Sequence, residues 1–355
     1  FFLHTNPKLR TCLMDSKTEA KLEPKKILES RGKIVKTDGT FKGSALIDWM
    51  VENYNPFKVS RKELEEMINK QFMDPELPHQ FIFGGKEDAS FTDSSSKFRF
   101  LPDQFRVYQQ DTYVINLQGF DLKNEKFYYE YENPEDEPGV KIAYDLKDVI
   151  GDLYAEYLSE DGSGVDYEGI TKSTVFKEKF VPIVRKLAYV NLSSIVGKND
   201  EIKAFFINIY NVLNIHANCA RFEKTKSLEK NFLDRNSFFS TWKYCIAGYT
   251  FTLNDIEHGM LRKNNTHGQK KSFFSKLFFP SKTRWKIGSP KFKYIVTEVD
   301  PRIHFSLNCG AKSCPPIKVY EADSLDMQLN MATKNFVKND VTFTDKDGKM
   351  TLEIS

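Results

Sequence analysis

Cysteine is scarce in this chain: five in 355 residues, Cys12, Cys219, Cys245, Cys309 and Cys314. An odd number with no framework spacing argues against a disulfide-stapled fold and favours a reducing compartment. No Cys-x-x-Cys occurs, so the chain itself holds no thioredoxin-type centre. It also lacks a signal peptide and an apolar run fit to span a bilayer. The formal net charge is only +3, too small to imply nucleic-acid binding, so any basic function must be local. The chain opens at Phe1 without an initiator Met and stops inside the strand-like Thr351 to Ser355. Both ends read as cut, with targeting signals and further domains expected outside.

What the chain does have is apolar mass. It is 40% hydrophobic and 14% aromatic, enough for two or three cored domains. The central stretch is Ala204 to Ala220, AFFINIYNVLNIHANCA, with no charged side chain if His216 is neutral. It predicts a buried helix capped by Asn199 or Asp200. At 100° per residue, Asn208, Asn211, Asn214 and Asn218 share a sector of about 120°. Buried amides need partners, so this face meets polar backbone, a polar neighbour or a site.

Upstream, residues 1–24 read as a linker. From Lys25 to Val35 a first helix is expected. Ser44 reads as the cap of a helix with Leu46, Ile47, Met50 and Val51 inward. Ser60-Arg61-Lys62-Glu63 is a capping box. Phe81 to Phe83 and Phe91 read as short strands, and Lys97 to Phe100 as a closing strand. The combination Phe41-x-Gly43-Ser44-x-Leu46-Ile47-Asp48-Trp49, a Ser-capped helix, Phe91-x-Asp93 and Phe98-Arg99-Phe100 resembles a DEP domain over residues 25–102. The resemblance implies a winged-helix bundle with a β-hairpin arm that docks on membrane lipids or signalling proteins. Arg31, Lys33, Lys36 and Lys42 would then attract an anionic surface, at roughly 1 kcal/mol per basic residue near lipid. A solvated basic face is the plainer reading of the same residues.

Residues 103–138 read as a connector: alternating segments at Arg106 to Leu117 and Phe127 to Tyr131 suggest strands, and an acidic, proline-broken stretch follows. Residues 139–355 read as one mixed domain, C-terminally incomplete. Helices are expected over Ala143 to Leu158, Thr174 to Ala188 and Asp323 to Val337, and after Asn254 or Asp255. Strands are expected at Tyr244 to Ile246, Tyr249 to Leu253, Tyr294 to Val299, Ile303 to Leu307, Val341 to Phe343 and Lys349 to Ile354. This half resembles the family catalogued as domain of unknown function 547. The matching pieces are Ala204 to Asn211 with His216, Ile256-Glu257-His258-x-x-Leu261-Arg262, and Asp300-Pro301-Arg302-Ile303-His304 through Cys309-Gly310-Ala311-Lys312-Ser313-Cys314-Pro315-Pro316. Members of that family also occur joined to DEP and glutaredoxin-like modules, so a redox module would lie upstream of Phe1. The fold class expected for the whole chain is α+β.

Two chemistries compete in the C-terminal half. In one, a turn exposes Cys309 as a thiolate nucleophile, and His304, His216 or His258 serves as base. Asn208 or Asn211 would orient a ring or donate to an oxyanion, and Arg302 would hold a carboxylate, a papain-like logic in another chain order. In the other, these are core residues, with Arg302 paired to Glu257 or Asp300. Cys309-x4-Cys314 with His304 lacks the second ligand pair of a structural zinc site, so neither metal nor cofactor is expected.

Arg262 to Lys293 carries ten Lys/Arg and no acid. Its Lys270, Lys271, Phe273, Phe274, Lys276, Phe278, Phe279 and Trp285 would grip an anionic membrane face or a partner. An inserted loop packed on its own domain is the alternative. The leading expectation is a cytoplasmic signalling or scaffold protein, peripheral to a membrane or held in a large assembly. Its partners would be proteins of signalling or cytoskeletal, membrane-associated complexes, and an anionic lipid surface. A thiol-dependent hydrolase or transferase and a purely structural subunit are the alternatives.

Overall fold

Ser60 opens the most clearly signalled helix of the N-terminal region. Its hydroxyl accepts from Glu63 N at 3.3 Å while its own N–H donates to the Glu63 carboxylate at 2.7 Å, both halves of a capping box. The computed structural model describes residues 22–55, 58–73, 82–84, 90–119, 139–160, 164–226, 232–265, 284–285, 289–308, 318–346 and 349–354. The chain forms two compact units, the first running to Gln110 and the second holding nearly all described residues from Asp111 onward. Helices dominate and the sheets are small and antiparallel, an α+β architecture.

In the first unit, α1 (Pro24–Leu28) and α2 (Arg31–Ile34) replace the single expected helix. β1 (Phe41–Lys42) leads into α3 (Gly43–Asn53), and α4 (Arg61–Ile68) runs on into a π turn, Asn69–Met73. β2 (Ile82–Gly84) and β3 (Lys97–Phe100) complete a three-stranded sheet with β3 in the middle, and α5 (Leu101–Gln110) follows. Register places Phe41 opposite Phe98 and Ile82 opposite Phe100. Phe41 stacks on Phe100 and meets Phe98 at a tilt, and all three are buried, as are Leu46, Ile47 and Met50 of α3.

Three local expectations fail in this unit for physical reasons. α3 starts at Gly43, with Lys42 before it, rather than being capped by Ser44. A side chain at Gly43 would run into the Thr92 carbonyl, so this start needs glycine. Phe91 is not in a strand; the Asn69 side chain takes both its N–H (2.7 Å) and its C=O (2.9 Å). Arg106 to Leu117, expected as strand, forms α5 and a 3-10 turn, Ile115–Leu117, because its apolar residues serve helical faces. Asp48 and Asp93 both pair with Arg61, at 2.7 and 2.8 Å.

The second unit is organised by a 27-residue helix, α9 (Asn199–Thr225), longer than the apolar stretch that signals it. Before it come α6 (Gly139–Glu156), α7 (Tyr167–Lys172), a π turn Phe176–Phe180 and α8 (Val181–Lys186). After it come α10 (Phe232–Thr241) and the hairpin β4 (Lys243–Ile246) and β5 (Tyr249–Thr252). Ala247 and Gly248 both have positive φ, the conformation a two-residue hairpin turn requires. α11 (Leu325–Asp340) leads to a last hairpin, β6 (Val341–Lys346) and β7 (Lys349–Ile354).

α9 packs on α6 and α7, and every residue from Ala204 to Cys219 is buried. Asn199 does not cap it. The helix begins at Asn199, whose amide instead binds Thr297 through N–H to Oδ1 at 2.9 Å and Nδ2 to Oγ1 at 2.6 Å. The strands expected at Tyr294 to Val299 and Ile303 to Leu307 are not formed. Their places are taken by 3-10 turns at Pro290–Tyr294 and Pro301–Phe305 and by bends. Pro301 favours the turn by fixing φ at its first position, and Asp300 accepts from Arg302 N across it. Asp255–Met260 is a π turn rather than a regular helix. No described helix is long and apolar enough to cross a membrane.

Candidate functional site

Two of the sequence motifs, Ile256 to Arg262 and Asp300 to Leu307, converge beside α9. Arg262 is the hub. One Nη2 lies 2.8 Å from Glu257 Oε1 and 3.1 Å from His304 Nδ1. The hydroxyl of Tyr210, on α9, donates to Glu257 Oε2 at 3.3 Å. His258 Nε2 is 4.0 Å from Glu257 Oε1. Because a guanidinium only donates, Nδ1 of His304 must accept here, which leaves the ring proton on Nε2. Tyr210 and His258 are buried, Glu257 and Arg262 are partly open, and His304 is exposed. The cluster can present an imidazole N–H and an arginine fork at one place, with a carboxylate balancing the charge.

The asparagine face of α9 is used differently. Asn208 donates to Tyr320 O at 2.8 Å and accepts from Tyr320 N at 3.0 Å. Asn211 donates to Ser306 O at 3.1 Å and accepts from Asn308 N at 2.8 Å. Asn214 donates to Asn308 O and Asn218 to Asn214 O, both at 2.8 Å. The Oδ1 atoms of Asn214 and Asn218 are buried without a partner among the described residues. An asparagine side chain has the donor and acceptor of a peptide group, so Asn208 and Asn211 act as single rungs of a ladder. They hold irregular backbone against a helix that has no backbone groups of its own to offer. Asn116 does the same for Cys245, and Asn264 for Trp285.

Other candidate groups are also taken. His216 lies edge-on to Phe176 and Phe180, with Nδ1 2.8 Å from the Tyr244 hydroxyl. Burial lowers its pKa to about 3, so the ring stays neutral. Arg302 is held by Asp300 at 2.7 Å, Asp326 at 2.7 Å and Asn330 at 2.8 Å. Of the two partners anticipated for it, Asp300 is the one used, while Glu257 belongs to Arg262. The thiols of Cys219 and Cys245 are pushed up by burial, which makes them unreactive. Cys309 and Cys314 lie outside the described residues, as do Lys270, Lys271, Phe273, Phe274, Lys276, Phe278 and Phe279. Among the described residues no group of three or more His, Cys, Asp or Glu is placed to hold a metal ion.

Trp285 does not present a binding surface. It is 9% exposed, and a side chain at Gly259 would run into its ring, so the pair packs only with glycine there. In the first unit, Arg31 is not a free surface cation. It makes a bidentate pair with Asp103 through Nε at 2.9 Å and Nη2 at 2.6 Å. Lys33, Lys36 and Lys42 are exposed.

Residues 196–337 match the family model described as "Protein of unknown function, DUF547". The DUF547 stretch thus contains Tyr210, Glu257, His258, Arg262 and His304, together with the asparagine stitches. Neither the comparison with curated proteins nor that with solved structures gives a match to this chain. Tyr210, Glu257 and Arg262 were missed as site residues from sequence alone. The signal was present in the motif Glu257-His258-x-x-x-Arg262, whose five-residue separation suits the wider π turn that brings its ends together.

Proposed function

We propose that this protein acts by docking: its N-terminal unit carries it to an anionic membrane face or to a signalling or cytoskeletal assembly, and its C-terminal unit is a rigid body for protein partners. The observation that carries this reading is that Asn208, Asn211, His216 and Arg302, four of the seven groups the sequence puts forward for chemistry, are spent on holding the chain. The resemblance of residues 25–102 to DEP domains supports the docking role. Exposed Lys33 and Lys42 supply charge for an anionic surface at roughly 1 kcal/mol each. Sedimentation with phosphatidylcholine vesicles containing phosphatidylserine tests the membrane form. Retention at low salt, weakened in Lys33→Glu/Lys42→Glu and by added salt, is expected. No retention at low salt overturns it and leaves protein docking.

A thiol-dependent hydrolase or transferase is the second reading, favoured by one observation. His304 is exposed and held by Arg262 only five residues before Cys309. In this reading Cys309 is the nucleophile and His304 the base. Labelling by a small thiol electrophile should then select Cys309 well below pH 8 and fall in His304→Gln. Slow labelling shared among the cysteines removes the enzyme reading.

A further inference from the structure

A cavity of about 800 Å³ opens in the N-terminal unit where α2 and the turn after it face β3 and α5. Its charged lining is Arg31, Lys36, Arg99 and Arg106 against Asp38 and Asp103. Four basic and two acidic side chains leave a surplus of two positive charges.

The acids are already engaged. Asp103 accepts both prongs of Arg31. Asp38 accepts from the Thr40 hydroxyl at 2.6 Å and from its N–H at 3.0 Å, bonds that lower its pKa to about 2 and keep it ionised. What remains is cationic and poorly matched. Arg106 reaches Asp103 only at 3.4 Å, an oxygen that Arg31 already holds. The side chain of Arg99, half-buried on β3, makes no hydrogen bond or ion pair among the described residues, and its Nε is fully buried without a partner. A buried N–H donor without an acceptor is costly, and the rest of this guanidinium is open to an occupant of the cavity, so the position favours an anionic one. An arginine fork suits phosphate oxygens, which accept two parallel N–H bonds. A phosphomonoester carries about −1.5 to −2 charge at pH 7, which matches the surplus of the cavity. A single carboxylate would leave one charge unmet, and a bare phosphate would leave much of the volume empty.

We infer that this cavity binds a phosphomonoester group, carried either by a soluble small molecule or by a lipid headgroup, with Arg99 and Arg106 as its principal ligands. This goes beyond docking by exposed lysines and does not depend on it, since neither Lys33 nor Lys42 lines the cavity.

Calorimetric titration of the full chain with glycerol 3-phosphate, and with glycerol and acetate as controls, tests the inference. Saturable binding of the phosphate ester alone is expected. Arg99→Gln and Arg106→Gln should each weaken it about tenfold or more, while Lys33→Glu/Lys42→Glu should leave it unchanged. If Arg99→Gln does not fold, by circular dichroism and thermal melting, the half-buried Arg106→Gln and the exposed Lys36→Gln carry the comparison. A parallel arm uses phosphatidylcholine vesicles with and without phosphatidic acid. Binding only to those vesicles, lost in Arg106→Gln, assigns the group to a lipid; binding of the soluble ester assigns it to a solute. The inference is overturned if neither probe binds up to about 10 mM phosphate ester, or if binding is the same in the arginine variants. Vesicle binding lost only in Lys33→Glu/Lys42→Glu would also overturn it, while leaving surface docking intact.

Discussion

The N-terminal unit buries its deepest charged contact as an ion pair, whereas the C-terminal unit buries neutral amides. Asp103 is 3% exposed and faces Arg31 at 18%, a match of formal charges that tolerates neither partner's loss. Along α9 the corresponding work is done by Asn208 and Asn211, each joined to backbone by a donor and an acceptor. The amide solution leaves no group to titrate and fixes register, because an offset of one residue would leave both bonds unmade. It suits a unit in which much of the chain packed on the central helix is turn rather than strand. Beside that pair, Lys36, Arg99 and Arg106 against Asp38 leave the cavity a surplus of positive charge, which the proposed phosphomonoester site would use.

Breaking a stitch should have the largest effect. Asn211→Ala strands Ser306 O and Asn308 N in a buried place, each at about 1–3 kcal/mol, for a loss of roughly 4 kcal/mol. Urea unfolding should show this as a lower midpoint, and Asn211→Asp should recover little, because a carboxylate cannot donate to Ser306 O. A variant within about 0.5 kcal/mol of the parent would mean the bond pair contributes nothing net.

The ion pair should respond differently. Asp103→Ala removes the carboxylate that holds both prongs of Arg31 and should cost about 3 kcal/mol, the low end for a pair that keeps some solvent. Arg31→Met/Asp103→Leu should be more stable than either single variant, since it removes both charges together. A double variant that loses the sum of the two singles would show that the pair is not coupled.

Acid should act on the second unit through His216. Its folded pKa, about 3, lies below the ordinary value near 6.5, so the unfolded chain takes up the proton first. Its neutral, buried state therefore weighs nothing against folding above about pH 6.5. Stability then falls as pH drops from there toward 3, by about 2 kcal/mol at pH 5. His216→Leu should remove that part of the pH slope while losing the Tyr244 bond at every pH. An unchanged slope would mean that the ring is protonated inside the fold.

Much of this architecture was legible in the sequence. The capping box at Ser60, the apolar run of α9, the two-residue turn at Ala247-Gly248 and the final hairpin each rest on local chemistry that survives packing. The misread elements share a cause. Ile303 to Leu307 alternates like a strand, but its neighbour is a helix, which offers side-chain amides and no backbone ladder. Arg106 to Leu117 alternates over too short a span to separate period 2 from helical spacing. Trp285 sits in a basic, aromatic stretch that reads as a surface, and only the space left by Gly259 shows that it is core. In the candidate site, the residue types were visible but their pairing was not. Nothing local indicates that Arg262 reaches across 42 residues to His304, or that Arg99 on β3 shares a cavity with Arg106 on α5.

Native-state hydrogen exchange at the amides of Tyr320 and Asn308 tests the asparagine stitches most directly. Both lie outside any helix or strand, and their N–H groups donate to the side chains of Asn208 and Asn211 on α9. Protection approaching that of the α9 core, and lost at Asn308 in Asn211→Ala, is the predicted result. Exchange at the rate of an open loop in the parent protein would contradict it, and would return the asparagine face to the status of a cleft awaiting a ligand.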